Sequence, residues 1–254
     1  MKISVITVCF NSAATLPDTL ASVASQADAG VEHIIVDGAS SDDTPAIVEA
    51  HRSRLAKVIS EPDHGIYDAM NKGIRHATGE VIAFLNADDI YAHDHVLNHV
   101  AQVMKREHLD ALFGDVAFVS SDDAARVVRR YCSGRFAPKR IAWGWMPAHP
   151  ALFLRREVFE RVGPFRTDYR IAGDFEFVAR AFWPGTLRYR HLPEILVKMR
   201  TGGISTGGWR NTLLLNREVL RACRENGIPA NLLKILSKYP WKLLEFFRPG
   251  KHGS

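Results

Sequence analysis

Two adjacent carboxylates follow a short apolar segment, residues 81–85, in the first half of the chain. Such a run, bounded by polar residues and glycine, is typical of a buried strand. It ends in Asn86-Ala87-Asp88-Asp89, where the carboxyl end of a strand in an open α/β sheet binds ligands. Hard oxygen ligands select Mg²⁺ or Mn²⁺, so we predict a divalent-cation site at Asp88 and Asp89. The alternative is a helix N-cap cluster, since Asp and Asn also favour that position.

Two further carboxylates stand at element boundaries. Asp37 follows a predicted strand and precedes the turn residue Gly38, so it could accept hydrogen bonds from a nucleobase N–H or a ribose hydroxyl. Asp174 opens a predicted helix and could act there as a general base. Both residues could instead only cap the helices that follow them.

Other polar residues leave two interpretations open. Asp68 and Lys72 are spaced as helical i,i+4 partners, so they form either a solvated ion pair or, with Asn71, a surface for a base or a phosphate. His149 lies between two prolines and is either structural or part of an acceptor site. The glycine-rich residues 202–208 are either a lid over an anion or an ordinary loop.

Composition limits the classes of partner. The chain has 254 residues, is 46% hydrophobic and 24% charged, which is typical of a folded protein and not of a disordered one. The net charge of +5 is spread over most of the sequence. A nucleic-acid-binding protein concentrates its basic residues on one face, so we expect no nucleic acid partner and an anionic substrate or membrane surface instead.

The cysteines and the apolar segments indicate a reducing compartment. Cys9, Cys132 and Cys223 are far apart and form no metal-binding pattern, which argues against a disulfide framework and a zinc site. Residues 1–10 are typical of a first strand and not of a secretion signal. No stretch reaches the roughly 18–20 apolar residues of a transmembrane helix. We therefore expect a cytoplasmic protein.

Strands and helices alternate through the first hundred residues, which predicts βαβ units and a parallel sheet covered on both faces. The predicted strands there are 3–10, 33–36, 57–60 and 80–85. Residues 111–119 and 125–131 then predict a hairpin, and the last third is predicted to be helical. There is no G-x-G-x-x-G, P-loop or G-x-S-x-G motif, which disfavours dinucleotide and P-loop sites and the simplest hydrolases.

Taken in order, several segments resemble family 2 inverting glycosyltransferases of the GT-A fold. The matching segments are 5–11 (VITVCFN), 33–44, 63–73 (DHGIYDAMNKG), 84–89 (FLNADD) and 150–165, which ends in VGPF. The resemblance implies an α/β GT-A fold, with a mixed, mostly parallel, Rossmann-like sheet flanked by helices and a C-terminal helical extension. It also implies a catalytic domain over residues 1–206, with a nucleotide-sugar-binding half (1–109) and an acceptor half (110–206), followed by the extension 207–254.

The resemblance further implies roles for individual residues. Asp174 would be the catalytic base, Asp88 and Asp89 would hold Mn²⁺ or Mg²⁺, and His149 and Gly173 would face the acceptor. The nucleoside-diphosphate sugar, with UDP favoured, would be bound by Thr7, Phe10, Asn11, Asp37, Asp68, Asn71, Lys72, Asn86, Ala87 and Asp88. The chain departs from the family at Asn86, where the metal motif often begins with Asp, and at Gly173, where an acid often precedes the base.

The predicted acceptor is a glycan or a lipid-linked sugar used in cell-surface polysaccharide biosynthesis. Residues 231–248 are both apolar and basic, a pattern that predicts either an interfacial helix or a helix packed on the core. The first of these would place the protein at the inner face of the plasma membrane. Two other functions compete: a catalytically silent nucleotide-sugar-binding or scaffold protein, and a nucleotidyltransferase, which would need a glycine-rich loop where residues 11–14 read NSAA.

Overall fold

The computed structural model describes residues 1–26, 30–120, 123, 125–201 and 208–237. The strands of these ranges are β1 (Lys2–Cys9), β2 (Gly30–Asp37), β3 (Lys57–Ser60), β4 (Val81–Phe84), β5 (Asp89–Tyr91), β6 (Ala111–Val119), β7 (Val127–Tyr131), β8 (Leu152–Arg155) and β9 (Tyr189–Arg200). The helices are α1 (Leu16–Ala24), α2 (Thr44–Ala50), α3 (Ile66–His76), α4 (Val96–Arg106), α5 (Arg156–Val162), α6 (Gly173–Phe182), α7 (Gly208–Glu225) and α8 (Leu232–Leu236).

All of these strands belong to one mixed sheet, ordered β3-β2-β1-β4-β8-β6-β9-β5, with β7 paired to β6. The strands β3, β2, β1 and β4 are parallel neighbours. β8 runs antiparallel to both β4 and β6, so β6 and its parallel neighbour β9 point the same way as the first four strands. The mixed, mostly parallel sheet flanked by helices is confirmed.

Alternating side chains of the central strands bury both faces of the sheet. On β4, Ile82 and Phe84 belong to one apolar cluster, which the helices α3, α5, α6 and α7 cover. Val81 and Ala83 belong to the opposite cluster, beneath α4. A strand with both faces covered needs an uninterrupted apolar sequence, which is what residues 81–85 provide.

Most predicted elements are present, with two informative differences. The predicted hairpin is formed by β6 and β7. The short strand β5 was not predicted: Asp89 begins it and pairs with Met199 of β9, so the second carboxylate of the acidic pair lies inside the sheet. The helix α6 begins at Gly173, one residue before the predicted opening at Asp174, which therefore lies within its first turn.

The C-terminal helices are present and pack on the core. Val219 and Cys223 of α7 and Ile235 of α8 are buried in the same cluster as Phe84. Residues 202–207 of the predicted lid and residues 238–248 of the predicted interfacial helix lie outside the described ranges. Within those ranges, no helix combines the length and the apolar character that crossing a membrane requires. The division at residues 109 and 206 stays a prediction.

Candidate active site

The carboxyl ends of three neighbouring strands bring the predicted donor residues to one edge of the sheet. β1 lies between β2 and β4, with Cys9 opposite Asp37 and Ile6 opposite Phe84. The loops that follow these strands therefore emerge side by side. They carry Phe10 and Asn11, the turn after Asp37, and the acidic run from Asn86.

Asp37 is almost fully buried, and its carboxylate fixes the turn that follows it. It accepts hydrogen bonds from the hydroxyls of Ser40 at 2.5 Å and Ser60 at 2.7 Å. Ser40 Oγ in turn accepts from the backbone N–H of Asn11 at 2.8 Å, which joins the loops after β1 and β2. Phe10, at the same place, is 63% exposed. These contacts form a rigid, partly open rim beside Asp37.

The acidic run after β4 contains an unsatisfied polar atom. Asn86 Nδ2 donates to Asp89 Oδ2 at 3.1 Å, but Asn86 Oδ1 is buried and has no hydrogen-bond partner in the described part of the chain. Burial raises the pKa of Asp88. Burial and then the neighbouring Asp88 charge raise the pKa of Asp89 well above its usual value.

These atoms fit a divalent cation. The amide oxygen of Asn86 is buried and has no donor within the described residues, and burial disfavours the charged form of both carboxylates. A nearby cation would stabilise all of these hard oxygen ligands. Asp88 is the more accessible carboxylate, whereas Asp89 is 1% exposed and bonded to Asn86. The residues present therefore fit Mn²⁺ or Mg²⁺, with Asp88 as the more accessible ligand.

Arg200, at the end of β9, is a site residue that the sequence analysis missed. Its charge lowers the pKa of Asp88 against the effect of burial, and its guanidinium also pairs with Asp18 of α1. The signal in the sequence was an arginine at the end of a long strand, directly before a glycine-rich stretch. A cation in this place suits a diphosphate.

Three predicted donor residues have other partners in this structure. Asn71 Nδ2 donates to the carbonyl of Phe165 at 2.8 Å, and its Oδ1 accepts from the N–H of Phe165 at 2.9 Å. Lys72 Nζ donates to the carbonyl of Pro62 at 2.7 Å. Thr7 is buried, with its hydroxyl 3.0 Å from His33 Nε2. Their contacts with a donor stay predictions, and those of Asn71 would require two hydrogen bonds to break.

The ion pairs around Lys72 extend to Asp68. Lys72 Nζ lies 3.0 Å from Glu61 Oε1 and 3.7 Å from Asp68 Oδ2. Asp68 Oδ2 also accepts from the N–H of His64 at 3.1 Å. The i,i+4 pair is thus present, and it fixes the loop before α3. Ala87, also predicted to contact the donor, is buried between Asn86 and Asp88.

Asp174 Oδ1 accepts from the N–H of Phe175, in the first turn of its own helix, at 2.7 Å. Glu218 of α7 accepts from the N–H groups of the three residues that precede α6. Burial raises the pKa of Asp174, although the His149 charge and hydrogen bonds that include one from Tyr67 act in the opposite direction. Its role as the base stays a prediction.

His149 and Gly173 surround Asp174 without offering it a strong donor. The ring of His149 stacks on Phe84 at 5.3 Å between centroids, and burial lowers the pKa of His149 while the Asp174 charge acts against this. Gly173 lies against the ring of Tyr67, whose hydroxyl is 3.5 Å from Asp174 Oδ1. His149 thus connects Asp174 to the end of β4, where the acidic run begins.

A second cluster of metal-ligating types is formed by Asp115, Cys132 and His191. The carboxylate of Asp115 already accepts from His191, from the N–H of Ser133 and twice from Arg130, at 2.6–3.0 Å. With four donors, including a guanidinium, it needs no cation. This cluster joins β6, β7 and β9 and is structural.

The sequence pattern of glycosyl transferase family 2 matches residues 4–163, so the chain belongs to this family and is a glycosyltransferase. It is 32% identical over 222 residues to a PGL/p-HBAD biosynthesis glycosyltransferase of Mycobacterium tuberculosis, covering 86% of this chain and 82% of that protein. An uncharacterised glycosyltransferase of the same organism is 33% identical over 183 residues, covering 70% of this chain and 68% of that protein.

Solved structures share the fold. TarS of S. aureus, residues 1–349, aligns with a TM-score of 0.70 and 20% identity over 97% of this chain and 74% of that one. The mannosyltransferase PcManGT from Pyrobaculum calidifontis, in complex with GDP-Man and Mn²⁺, aligns with a TM-score of 0.67 and 20% identity over 96% of this chain and 72% of that one. The GT-A architecture is therefore shown.

Proposed function

We propose that this glycosyltransferase moves a sugar from a nucleoside-diphosphate sugar, with UDP as the nucleotide, to an acceptor hydroxyl with inversion at the anomeric carbon. One observation carries the proposal: Asp174 interacts with His149, whose ring stacks on Phe84 at the end of β4, directly before the acidic run. Donor-binding and proton-accepting carboxylates thus belong to one connected set.

In this proposal, different loops bind the two ends of the donor, the nucleoside and the diphosphate. Asp37, in its network of serine hydroxyls, would hold the base or ribose. The diphosphate would lie near Asp88 and Arg200, whose charges already interact. Asn86 and Asp88 would hold a divalent cation, with Asp89 behind them. When bound, that cation supplies Lewis-acid stabilisation of the negative charge that develops on the departing diphosphate.

Asp174 would take the proton of the acceptor hydroxyl. The hydroxyl oxygen forms a bond to the anomeric carbon from the face opposite the diphosphate, and the bond from that carbon to the diphosphate oxygen breaks. Burial raises the pKa of Asp174, which makes its carboxylate a stronger base than an ordinary aspartate. The transition state has oxocarbenium character, as in other displacements at an anomeric carbon.

Support for UDP comes from the neighbours of the fold. TarS structures contain UDP and UDP-GlcNAc, whereas PcManGT contains GDP-Man and Mn²⁺. Both are nucleoside-diphosphate donors, and the second supports a divalent cation.

The acceptor enters, in this proposal, through a cleft of about 200 Å³ between residues 64–67 and 167–170. Tyr67 lines this cleft and also lies beside Asp174, so the cleft leads towards the base. Relatives named for PGL/p-HBAD biosynthesis support a glycolipid or other lipid-linked sugar as the acceptor, and a glycan remains the alternative acceptor.

A lipid-linked acceptor agrees with an apolar surface around α8. Leu232, Leu233 and Leu236 are 51%, 80% and 40% exposed, and Trp143 beside them is 44% exposed. Lys234 lies over the ring of Trp143 at 5.8 Å. Exposed apolar side chains among lysines suit an anionic membrane surface. We propose that this surface, with residues 238–254, holds the protein at the inner face of the plasma membrane.

The membrane part of the proposal has its own test. Flotation with anionic liposomes should carry the full chain but less of a Leu233→Ser/Leu236→Ser variant, whose substitutions are at exposed positions and leave the buried Ile235 in place. A Leu213→Ser variant, exposed on α7, is the matched control. Equal flotation of all three proteins would remove the membrane interaction through α8.

The donor is tested by calorimetry with UDP, GDP and dTDP and their sugars, each with Mn²⁺, Mg²⁺ or EDTA. Metal-dependent binding of UDP, abolished in Asp88→Asn, supports the proposed site. Binding without turnover on any acceptor would favour a silent nucleotide-sugar-binding protein. Absence of binding by every diphosphate with either metal would overturn the donor assignment.

A further inference from the structure

The carboxylate of Glu218, on α7, accepts hydrogen bonds from three consecutive backbone N–H groups shortly before Asp174. Glu218 Oε1 accepts from the N–H of Arg170 at 2.8 Å, and Oε2 accepts from the N–H groups of Ile171 and Ala172, each at 2.8 Å. Glu218 is 7% exposed. The segment that it holds runs directly into Gly173 and Asp174, the first two residues of α6.

We propose that Glu218 is a positioning residue for Asp174 and that α7 is thereby part of the catalytic apparatus. The inference rests on the proposed function, in which Asp174 is the general base. Glu218 acts through the backbone and touches no substrate. Its effect is to fix where the carboxylate of Asp174 stands relative to the acceptor hydroxyl.

The physical basis is the set of unpaired amides at a helix start. The first N–H groups of a helix and its approach have no partner within the helix. A buried carboxylate that accepts from several of them forms strong, charge-assisted hydrogen bonds. Without it, all three amides would lose their charged acceptor, and that of the buried Ala172 would be left unsatisfied, which costs enough free energy to displace the segment.

The same segment is held from the other side by α3. Tyr67 donates its hydroxyl hydrogen to the carbonyl of Ile171 at 2.6 Å, and that carbonyl belongs to the same peptide group as the N–H of Ala172. This one peptide group, two residues before Asp174, thus forms a hydrogen bond to α3 through its oxygen and another to α7 through its nitrogen. Residue 173 has no side chain that could anchor it, so these two hydrogen bonds determine the direction in which α6 begins.

Glu225, two turns further along α7, provides a matched comparison. It accepts from Arg166 at 2.7 Å and from the hydroxyl of Tyr169 at 2.6 Å. It therefore binds the same loop to the same helix, but through side chains and without contacting the amides before α6. A general loosening of the loop would follow from either substitution, whereas misplacement of Asp174 would follow from Glu218 alone.

The kinetic test compares Glu218→Gln with Glu225→Gln in the full chain. A glutamine at 218 keeps the shape but turns an N–H₂ group towards backbone donors. We expect kcat to fall by about 10²-fold, the size of effect that a misplacement of about 1 Å produces. The donor KM and the UDP affinity should stay within about twofold, because the donor loops are not contacted by Glu218. Glu225→Gln should keep kcat within about threefold, and Glu218→Asp should recover part of the loss.

Equal losses of kcat in the two glutamine variants, or a loss confined to the donor KM, would overturn the positioning role. Amide hydrogen exchange gives a readout that does not depend on turnover. Residues 170–172 should lose protection in Glu218→Gln and keep it in Glu225→Gln. If the wild-type protein transfers no sugar, the proposed function fails, and the exchange data still decide whether Glu218 holds this segment: unchanged protection in Glu218→Gln would sink the inference.

Discussion

The ring of Tyr67 occupies the place where a side chain on residue 173 would begin. A Cβ atom built on Gly173 would lie 2.7 Å from Cε2 of Tyr67 and 2.8 Å from Cδ2 and Cζ. Tyr67 is buried and tethered to the carbonyl of Ile171, so it cannot move aside freely. The tyrosine ring and a side chain at position 173 therefore exclude each other, and glycine is the residue that fits there.

Because the Tyr67 ring and a side chain at position 173 exclude each other, substitutions at these two positions should have non-additive effects on the free energy of unfolding. Gly173→Ala should lower the free energy of unfolding by about 1–3 kcal/mol, because overpacking forces strain on a close-packed core. In a Tyr67→Ala background the same change should cost less than about 0.5 kcal/mol, since residues in contact couple. Denaturant unfolding of the four proteins measures the coupling, and additive losses would show that the ring is not the obstacle.

Replacement of the proposed base should separate binding from transfer. Asp174→Asn keeps the size of the side chain but cannot accept the proton of the acceptor, so transfer should fall by about 10²–10⁴-fold. The affinity for UDP, measured by calorimetry, should be unchanged. Glu160→Gln, exposed on α5 and paired with Arg156, is the control. Near wild-type transfer by Asp174→Asn would show that another group is the base.

The pH dependence of the reaction follows from the burial of Asp174. Burial raises its pKa, and only the deprotonated carboxylate can take a proton. The acidic limb of kcat/KM should therefore lie at higher pH than the roughly 3.9 of an unperturbed aspartate. Below that limb the rate should fall about tenfold per pH unit. A limb at or below the unperturbed value, in a pH profile corrected for donor binding, would contradict the assignment.

Asn86 offers a test of the cation site. In Asn86→Asp the hydrogen bond to Asp89 is lost and a third carboxylate is added, so without metal the protein should be destabilised by about 1–3 kcal/mol. Mn²⁺ should then raise Tm more in the variant than in the wild type, because binding to the folded state stabilises it. Asp94→Asn, an exposed change nearby, should leave the metal response as it is. A smaller metal response in Asn86→Asp would place the cation elsewhere.

A carboxylate at the opposite end of the sheet predicts acid sensitivity of the fold. Glu32 is buried, which by itself raises its pKa, but hydrogen bonds from Lys2, Ser4 and Thr78 lower the pKa to about 2. Because the pKa is lower in the folded state, this stabilisation is present above about pH 4.5 and is lost as pH falls towards 2.

Glu32→Gln should therefore cost on the order of 2 kcal/mol at pH 7 and much less near pH 2. Unfolding by denaturant across this range measures the difference between the variant and the wild type. Sugar transfer by the folded variant should be unaffected, because Glu32 is at the amino end of β2. A destabilisation that is constant with pH would show that the charge of Glu32 is not the cause.

The sequence predicted the parts of the fold that local pattern controls. Residues 81–85 are apolar without interruption, so β4 was evident as a buried strand, and its carboxyl end gave the acidic site. β5 was missed because three residues are too few for a periodic signal and its pairing with β9 joins positions far apart in the chain. Glu218 and Arg200 were missed because each acts on a residue that is distant in sequence.

The strand β8 has a mechanical consequence. Phe153 of β8 pairs with Ala83 of β4 on one side and with Leu112 of β6 on the other. This single residue therefore joins the portions of the chain assigned to donor and acceptor. A hinge motion that separates these portions would have to break main-chain hydrogen bonds on at least one side of β8. The catalytic cycle is thus expected to open and close at its loops, over a platform that stays rigid.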